Sequence, residues 1–308
     1  MILGKRARLG QAVVAALGIV GVGMNTASLA QTPDFDAVEI QTVPVADNVY
    51  MLLGEGGNIG VSAGEDGVFL IDDQFAPLTE KIRAAIAAIS DEPIRFLVNT
   101  HWHFDHTGGN ENLGEAGVVI VAQDEVYTRL STEQFIEAFQ REVPPSPPAA
   151  LPVITFNDTA TFHLNGQTMH AFHVDAAHTD GDTVIHFVEA DVIHAGDTYF
   201  NGFYPFIDTS SGGSLPGMIS ATEEILALAG ENTQIIPGHG PLSDREELEA
   251  YRQMLVDMRV RTESAITQGL TLEAFLASDP SADYDEDWGG GFLAPEQFLT
   301  IIYQDLAE

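Results

Sequence analysis

Short apolar runs separated by glycine-rich turns fill the chain from residue 43 onward, and they predict β-strands. The first three runs cover residues 48–53, 59–63 and 68–72. Glycines at 54–57 and 64–67 lie between them, as turn residues do in an antiparallel meander. Further strands are predicted at 94–99, 118–122, 153–156, 161–164, 169–174, 183–188, 191–195 and 233–236.

Helical spacing of apolar residues alternates with these strands. Leu78, Ile82, Ile86 and Ile89 would share one helical face, and Pro93 marks the end of that segment. Helices are also predicted over 123–140, over 217–229, and from a capping box at Ser243 and Glu246 to about Gln268. Five prolines in 143–152 predict a surface connection between two similar halves. Together these elements predict an α+β domain of sheets covered by helices.

The first thirty residues differ from the rest and predict a secretory signal peptide. Lys5, Arg6 and Arg8 precede an apolar run over 9–24, and Ser28 and Ala30 then supply small residues at the two positions that a signal peptidase reads. A membrane anchor is the alternative, but a run of about 16 residues is shorter than the roughly 20 that span a bilayer. We therefore expect cleavage after residue 30, one domain over 31–308, and a periplasmic or secreted protein without a membrane span.

The amino-acid composition limits the partners and metal ligands that this protein can have. Lys and Arg number 12 against 46 Asp and Glu, and the net charge of −34 disfavours nucleic acid as a partner. Such an excess of carboxylates also suits a salt-rich exterior, where their repulsion is screened. The chain has no cysteine, which excludes disulfides, thiolate nucleophiles and cysteine-bound metal. Any metal must be held by His, Asp or Glu.

The strongest chemical signal is a cluster that follows the predicted strand at 94–99. His101, His103, Asp105 and His106 place three imidazoles and a carboxylate within six residues. These groups are good ligands for borderline divalent metals, and one loop can direct them to two adjacent sites.

Three later residues lie at similar junctions of strand and loop. His178, Asp197 and His239 each follow an apolar strand and stand near glycine. Alone, each is typical of an ordinary loop. Together with the first cluster they would complete two coordination spheres.

The spacing H-x-H-x-D-H, with a later His, Asp and His, resembles the metallo-β-lactamase superfamily from about residue 43 to His239. The resemblance implies a four-layer αββα sandwich with two Zn²⁺ at one edge. It implies that one zinc is held by His101, His103 and His178, and the second by Asp105, His106 and His239, with Asp197 bridging. Asp72 matches the acidic residue that supports the metal loop by hydrogen bonds.

This resemblance also implies a mechanism. Two zinc ions can share a hydroxide that attacks a carbonyl, and Asp105 is the catalytic residue that would orient it and carry its proton. A related redox di-iron site would have Glu at the second motif position. His103 stands there, which disfavours iron chemistry.

The substrate is expected to be a small carbonyl compound, with a β-lactam (turned over weakly or promiscuously) or a lactone as leading candidates. Well-known class B enzymes carry Cys at Asp197 and Lys at Phe200, so both positions depart from the β-lactamase pattern. An aromatic cluster follows the bridging position, either as a pocket wall or as core: Tyr199, Phe200, Phe203, Tyr204 and Phe206. Alternatives are a thioesterase, a phosphoesterase, or an accessory periplasmic metal-binding protein of a quinoprotein redox system.

Two further segments have open interpretations, and five histidines outside the motif remain to be assigned. The glycine-rich residues 54–60 are either a mobile lid or a hairpin turn. The acidic C-terminal stretch 283–308 is either a packing tail or a subunit interface. Structural roles are expected for the five histidines within strand patterns: His163, His170, His173, His186 and His194.

Overall fold

A computed structural model describes residues 34–307, so the predicted signal peptide lies outside the described residues. The strands are β1 (Gln41–Ala46), β2 (Val49–Leu53), β3 (Ile59–Gly64), β4 (Gly67–Ile71), β5 (Ile94–Val98), β6 (Val119–Gln123), β7 (Gln134–Ile136), β8 (Arg141–Val143), β9 (Ile154–Phe156), β10 (Thr159–Leu164), β11 (Gln167–His173), β12 (Thr183–Phe187), β13 (Val192–Phe200) and β14 (Gln234–His239). The helices are α1 (Thr79–Ala87), α2 (Phe104–Thr107), α3 (Asn110–Glu115), α4 (Asp124–Ser131), α5 (Leu215–Leu228), α6 (Arg245–Thr267), α7 (Leu272–Ala277), α8 (Asp285–Trp288) and α9 (Pro295–Ala307).

Two sheets organise these strands. The first has the order β1-β2-β3-β4-β5-β6-β9, and its first four strands form an antiparallel meander, of which β2, β3 and β4 are the three predicted strands. From β4 to β9 its strands run parallel. The second sheet has the order β10-β11-β12-β13-β14, and only its last pair is parallel. The carboxyl ends of these parallel strands form the edge where the histidine-rich loops begin.

Three apolar cores separate four layers. Between the sheets, Phe69 and Val98 of the first pack in one core with Ile185 and Ile236 of the second. A second core joins the outer face of the first sheet to α1 and α3. A third lies between the second sheet and α5, α6 and α9. This arrangement confirms the predicted αββα sandwich.

The helix predicted over 123–140 is wrong beyond Ser131. Thr132 takes an extended conformation, and β7 then pairs with β8 in a small antiparallel hairpin. Within β7, Phe135 is exposed and Ile136 is buried, so the local pattern has the period of a strand. The strand at 153–156 also lies elsewhere than expected: it pairs with β6 in the first sheet and does not open the second half.

The capping box at Ser243 is also wrong by one residue. Asp244 is the N-cap of α6, and its side chain accepts a hydrogen bond from the backbone N–H of Glu247. The Ser243 hydroxyl instead lies 2.7 Å from the hydroxyl of Tyr199. The predicted end of the helix near Gln268 agrees with the structure.

The C-terminal stretch packs against the third core. Trp288, Phe298 and Ile302 are buried there. Its acidic residues Asp283, Asp285 and Asp305 have protein partners: Asp283 pairs with Arg261, Asp285 accepts a hydrogen bond from Tyr204, and Asp305 accepts one from the Leu215 N–H. Within the described part of the chain, no helix is long and apolar enough to cross a membrane.

Candidate metal centre

The predicted ligands come from loops at one edge of both sheets. Residues 101–106 follow β5, and the loop between β11 and β12 supplies His178. Asp197 lies within β13, and His239 ends β14. A register shift after His194 and a positive φ of 53° at Gly196 bend β13 before Asp197. This bend directs the carboxylate toward the loop after β5.

Three buried imidazoles form the first ligand group. His103 Nδ1 lies 3.2 Å from His101 Nε2 and 2.8 Å from His178 Nε2. Each of the three rings is less than a tenth exposed. These three nitrogen atoms lie close enough together to share one metal ion.

A second group lies beside the first and is more open. His239 Nε2 is 3.3 Å from both Asp105 Oδ2 and His106 Nε2. The side chains of Asp105 and His239 are 21% and 19% exposed, so substrate can approach from this side. These atoms could hold a second ion.

Asp197 lies between the two groups. Its Oδ1 is 3.1 Å from His106 Nε2, and its Oδ2 is 3.5 Å from His178 Nε2 and 3.4 Å from His239 Nε2. Its carboxylate therefore contacts members of both groups, as a bridging ligand would. Gly238 permits this position, because a Cβ there would lie 2.0 Å from Asp197 Oδ1.

Asp72 orients two of the histidines. Its Oδ2 accepts a hydrogen bond from His106 Nδ1 at 2.8 Å and another from the Thr100 hydroxyl at 2.7 Å. The Thr100 oxygen is then free to accept from His101 Nδ1 at 3.0 Å. These bonds leave a lone pair on Nε2 of each ring, aimed at the ligand groups. Asp72 thus lies where the supporting role was expected.

The other two histidines of the first group are oriented by acceptors that the sequence does not reveal. His103 Nε2 donates to the buried Asp208 Oδ2 at 3.0 Å, and His178 Nδ1 donates to the Phe206 carbonyl at 2.8 Å. Asp208 stands 105 residues after His103, in a segment without a recognisable motif. Its role becomes visible only when the second sheet is assembled.

The donor set fits a metal ion. With their outer nitrogens donating, His101, His103 and His178 direct three lone pairs at one another, which is repulsive unless a cation lies among them. Burial lowers the pKa of His101, and burial lowers that of His178 to about 4, so both rings remain neutral and able to ligate. Imidazole and carboxylate donors suit zinc and related divalent metals.

Electrostatics favour a cation in the second group as well. Burial acts to lower the pKa of His106 and His239, but neighbouring Asp197 and Asp105 raise both, that of His239 to about 9. Although burial opposes it, the same histidines hold the pKa of Asp197 well below its usual range. The carboxylates thus create a negative potential that a proton or a metal ion can neutralise.

The loop at 54–60 is held close against this centre. Gly57 N–H donates to the Asp105 carbonyl at 3.1 Å, and its own carbonyl accepts from Gln74 Nε2 at 2.7 Å. A Cβ on Gly57 would lie 2.1 Å from the His106 ring. The glycines therefore permit close approach, and the structure favours the hairpin turn over the mobile lid.

Asn58 fixes the same loop to the second sheet. Its Nδ2 donates at 2.9 Å to the carbonyls of Pro237 and Gly240, on either side of His239. Its carbonyl accepts from His194 Nε2 at 3.1 Å, because His194 Nδ1 already accepts from the Gly196 N–H. His194 is thus structural, as expected, but it supports the centre.

The aromatic cluster after Asp197 mostly forms core. Tyr199, Phe200 and Tyr204 are fully buried, and Phe200 stacks on His239 with ring centroids 5.3 Å apart. Phe203 is different, because it lines a cavity of about 320 Å³ beside His239.

Comparison with known proteins agrees with this fold. The family model of the metallo-β-lactamase superfamily matches residues 52–262. Among solved structures, a metallo-β-lactamase from Pontibacter korlensis has a TM-score of 0.59 at 18% identity, covering 71% of this chain and 100% of its own. The DIM-1 metallo-β-lactamase has a TM-score of 0.56 at 18% identity, with coverage of 71% and 98%.

A third similar structure covers more of this chain. The stereoselective inverting sec-alkylsulfatase Pisa1 from Pseudomonas sp. has a TM-score of 0.63 at 18% identity, covering 86% of this chain and 50% of its own. Likeness at this level of identity shows the fold. Because the family model spans more than half of the chain, the protein belongs to the metallo-β-lactamase superfamily, whose members are hydrolytic metalloenzymes.

Proposed function

We propose that this protein is a secreted binuclear zinc hydrolase that cleaves a small carbonyl substrate. The observation that carries the proposal is the convergence of two ligand groups on the shared carboxylate of Asp197. The hydrogen bonds that orient four of the histidines strengthen it, because such partners accompany metal-ligating imidazoles.

The ligands are assigned by group. In this proposal His101, His103 and His178 hold one zinc ion, Asp105, His106 and His239 hold the second, and Asp197 contacts both. When bound, two zinc ions would supply Lewis-acid polarisation of the carbonyl and a lowered pKa for water.

Asp105 is the residue of this chain that would handle the proton. Its Oδ2 lies on the open side of the centre, 3.3 Å from His239 Nε2. There it can accept a hydrogen bond from the attacking water, hold the proton that the water loses, and pass it to the leaving oxygen or nitrogen. Hydrolysis then adds hydroxyl to the carbonyl carbon and hydrogen to the leaving atom.

The leading substrates are a β-lactam or a lactone. Two of the similar structures are metallo-β-lactamases and one is a sec-alkylsulfatase, so sulfate esters belong in the same test. The test is elemental analysis of the purified mature protein, followed by hydrolysis of a chromogenic cephalosporin, a lactone, a thioester, an aryl phosphate and a secondary alkyl sulfate. We expect two zinc ions per chain and turnover of a carbonyl substrate that a chelator abolishes and zinc restores.

Asp105→Asn separates an enzyme from an accessory metal-binding protein. We expect its turnover to fall by about two orders of magnitude or more, the range for a general base, while the protein remains folded. Asp175→Asn is the matched control, since the Asp175 side chain is 99% exposed. Metal binding without chelator-sensitive turnover of any substrate would favour the accessory role. Full activity of Asp105→Asn would contradict the role given to Asp105.

Export is tested separately. Expression of the full chain in a Gram-negative host should yield periplasmic protein whose N-terminal sequence begins at Gln31. Protein that keeps its first thirty residues and sediments with membranes would contradict cleavage.

A further inference from the structure

The cavity beside His239 has two unlike walls. The loop between β2 and β3 forms one wall and contributes Glu55. Phe203 and Phe292 belong to the other. Phe292 is 56% exposed, although a phenylalanine gains free energy by leaving water. An exposed aromatic ring beside a metal ligand is a surface ready to contact substrate.

The C-terminal stretch holds Phe292 in place. Its ring centroid is 6.4 Å from that of His239 and 6.3 Å from that of Phe200. Gly291 packs against Phe203, since a Cβ on Gly291 would lie 2.7 Å from that ring. On the N-terminal side, Trp288 is buried, and its carbonyl accepts from the Tyr204 N–H at 2.9 Å.

Glu55 is the one acidic residue among the described residues that line the cavity. Glu55 is half-buried and forms no hydrogen bond or ion pair with another residue in the described chain, and none of the described lining residues is Lys or Arg. The Lys and Arg side chains elsewhere in the described chain already have protein partners. Eight of the nine Lys and Arg side chains in residues 34–307 donate to carboxylates or backbone carbonyls: Lys81, Arg83, Arg95, Arg129, Arg245, Arg252, Arg259 and Arg261. The ninth, Arg141, lies over the Phe104 ring at 3.9 Å.

We propose that this cavity selects uncharged substrates that carry an aryl or alkyl group, which packs between Phe203 and Phe292, and that Glu55 disfavours substrates with a carboxylate there. The inference rests on the proposed function and narrows it. Neutral esters and lactones suit the cavity, whereas a β-lactam carboxylate would find neither Lys nor Arg among the described lining residues and would meet a like charge at Glu55.

Two pairs of substrates test the two walls. The p-nitrophenyl esters of acetate and phenylacetate differ in the apolar group. Those of valerate and glutarate differ by a terminal methyl in place of a carboxylate. We expect kcat/KM to be at least tenfold higher for phenylacetate than for acetate, and at least tenfold higher for valerate than for the glutarate monoester.

Variants assign these preferences to residues. Phe292→Ala should reduce the phenylacetate preference about tenfold, and Glu55→Gln should reduce the discrimination against glutarate at least threefold. Phe135→Ala is the matched control, because Phe135 is 44% exposed and lies outside the cavity. Glu65→Gln, in the next hairpin turn, is the control for charge.

A glutarate ester that reacts as fast as the valerate ester would overturn the inference, as would unchanged preferences in the variants. If the glutarate ester does react that fast, loss of its hydrolysis in Arg141→Ala would identify Arg141 as the residue that binds its carboxylate.

A binding measurement separates failure of the cavity from failure of the proposed reaction. If the zinc-loaded protein hydrolyses none of the four esters in a chelator-sensitive way, the proposed hydrolysis of esters fails. Saturation-transfer NMR with benzyl alcohol then tests the cavity alone. A signal that Phe292→Ala removes and Phe135→Ala keeps supports the aromatic wall, and a signal that is absent or unaffected by Phe292→Ala overturns it.

Discussion

At the scale of single residues, the orientation of three ligand-group histidines, His103, His106 and His178, depends on acceptors far away in the chain. Spacing alone was enough to select His101, His103 and His106 as candidate ligands, because one short loop carries all three. Asp208 could not be predicted in this way, since only the assembled second sheet brings its carboxylate to His103. A ligand set is thus easier to find in a sequence than the bonds that orient it.

Removal of the Asp208 carboxylate should weaken metal binding. Asp208→Ala leaves His103 Nε2 without its acceptor, so the ring loses its fixed tautomer and direction. We expect zinc affinity to fall about 10- to 100-fold, measured by competition with a chromophoric chelator. Asp175→Ala should leave the affinity unchanged, and equal affinities in the two variants would show that Asp208 does not orient a ligand.

A methyl group at Gly57 should disturb the second ligand group. Because the added Cβ would meet the His106 ring, Gly57→Ala must displace either the loop or the imidazole. We expect loss of about one zinc ion per chain by elemental analysis. Gly290→Ala is the control, since its Cβ would meet nothing within 4 Å. Retention of two zinc ions by Gly57→Ala would contradict the close packing of this loop.

At the scale of elements, the sequence pattern predicted β2 to β4, β10 to β13, α1, α5 and the end of α6, and it failed where a tertiary contact decides. Between residues 123 and 140, apolar residues fit a helix as well as a hairpin, and a buried site for Ile136 decides for β7. The start of α6 moves to Asp244 because the Ser243 hydroxyl bonds Tyr199 and its backbone pairs with Ile235. Tyr199 lies 44 residues away from Ser243 in sequence, beyond the reach of a local pattern.

The cap at Asp244 has a measurable effect. Asp244→Ala removes the acceptor of the Glu247 N–H, and we expect the free energy of unfolding to fall by about 1 kcal/mol in urea. Asp244→Asn should retain most of that stability, because asparagine is an equally good N-cap. Equal stability of the Ala and Asn variants would argue against Asp244 as the cap.

At the scale of the whole molecule, the large negative charge affects the stability of the folded state. The net charge of −34 leaves most carboxylates without a cation, and the exposed ion pairs contribute little each. Self-repulsion therefore opposes the folded state at low ionic strength.

Stability should accordingly rise with salt. We expect the melting temperature to increase by several degrees between about 0.02 and 0.5 M sodium chloride, where screening shortens the Debye length to well under 10 Å. Sorbitol at equal osmolality controls for effects unrelated to charge. A melting temperature that is constant or falls with salt would show that self-repulsion is not limiting.

The bonds from Asn58 to the carbonyls around His239 join residues up to 182 positions apart, and this separation has a consequence for folding. Contacts so distant in sequence require the closure of a long loop, and folds with many such contacts approach the native state slowly. Any ion held at their junction stabilises only the completed assembly. Metal binding would then stabilise the chain only once both sheets are in place. Removal of the metal ion should therefore make both sheets more susceptible to proteolysis.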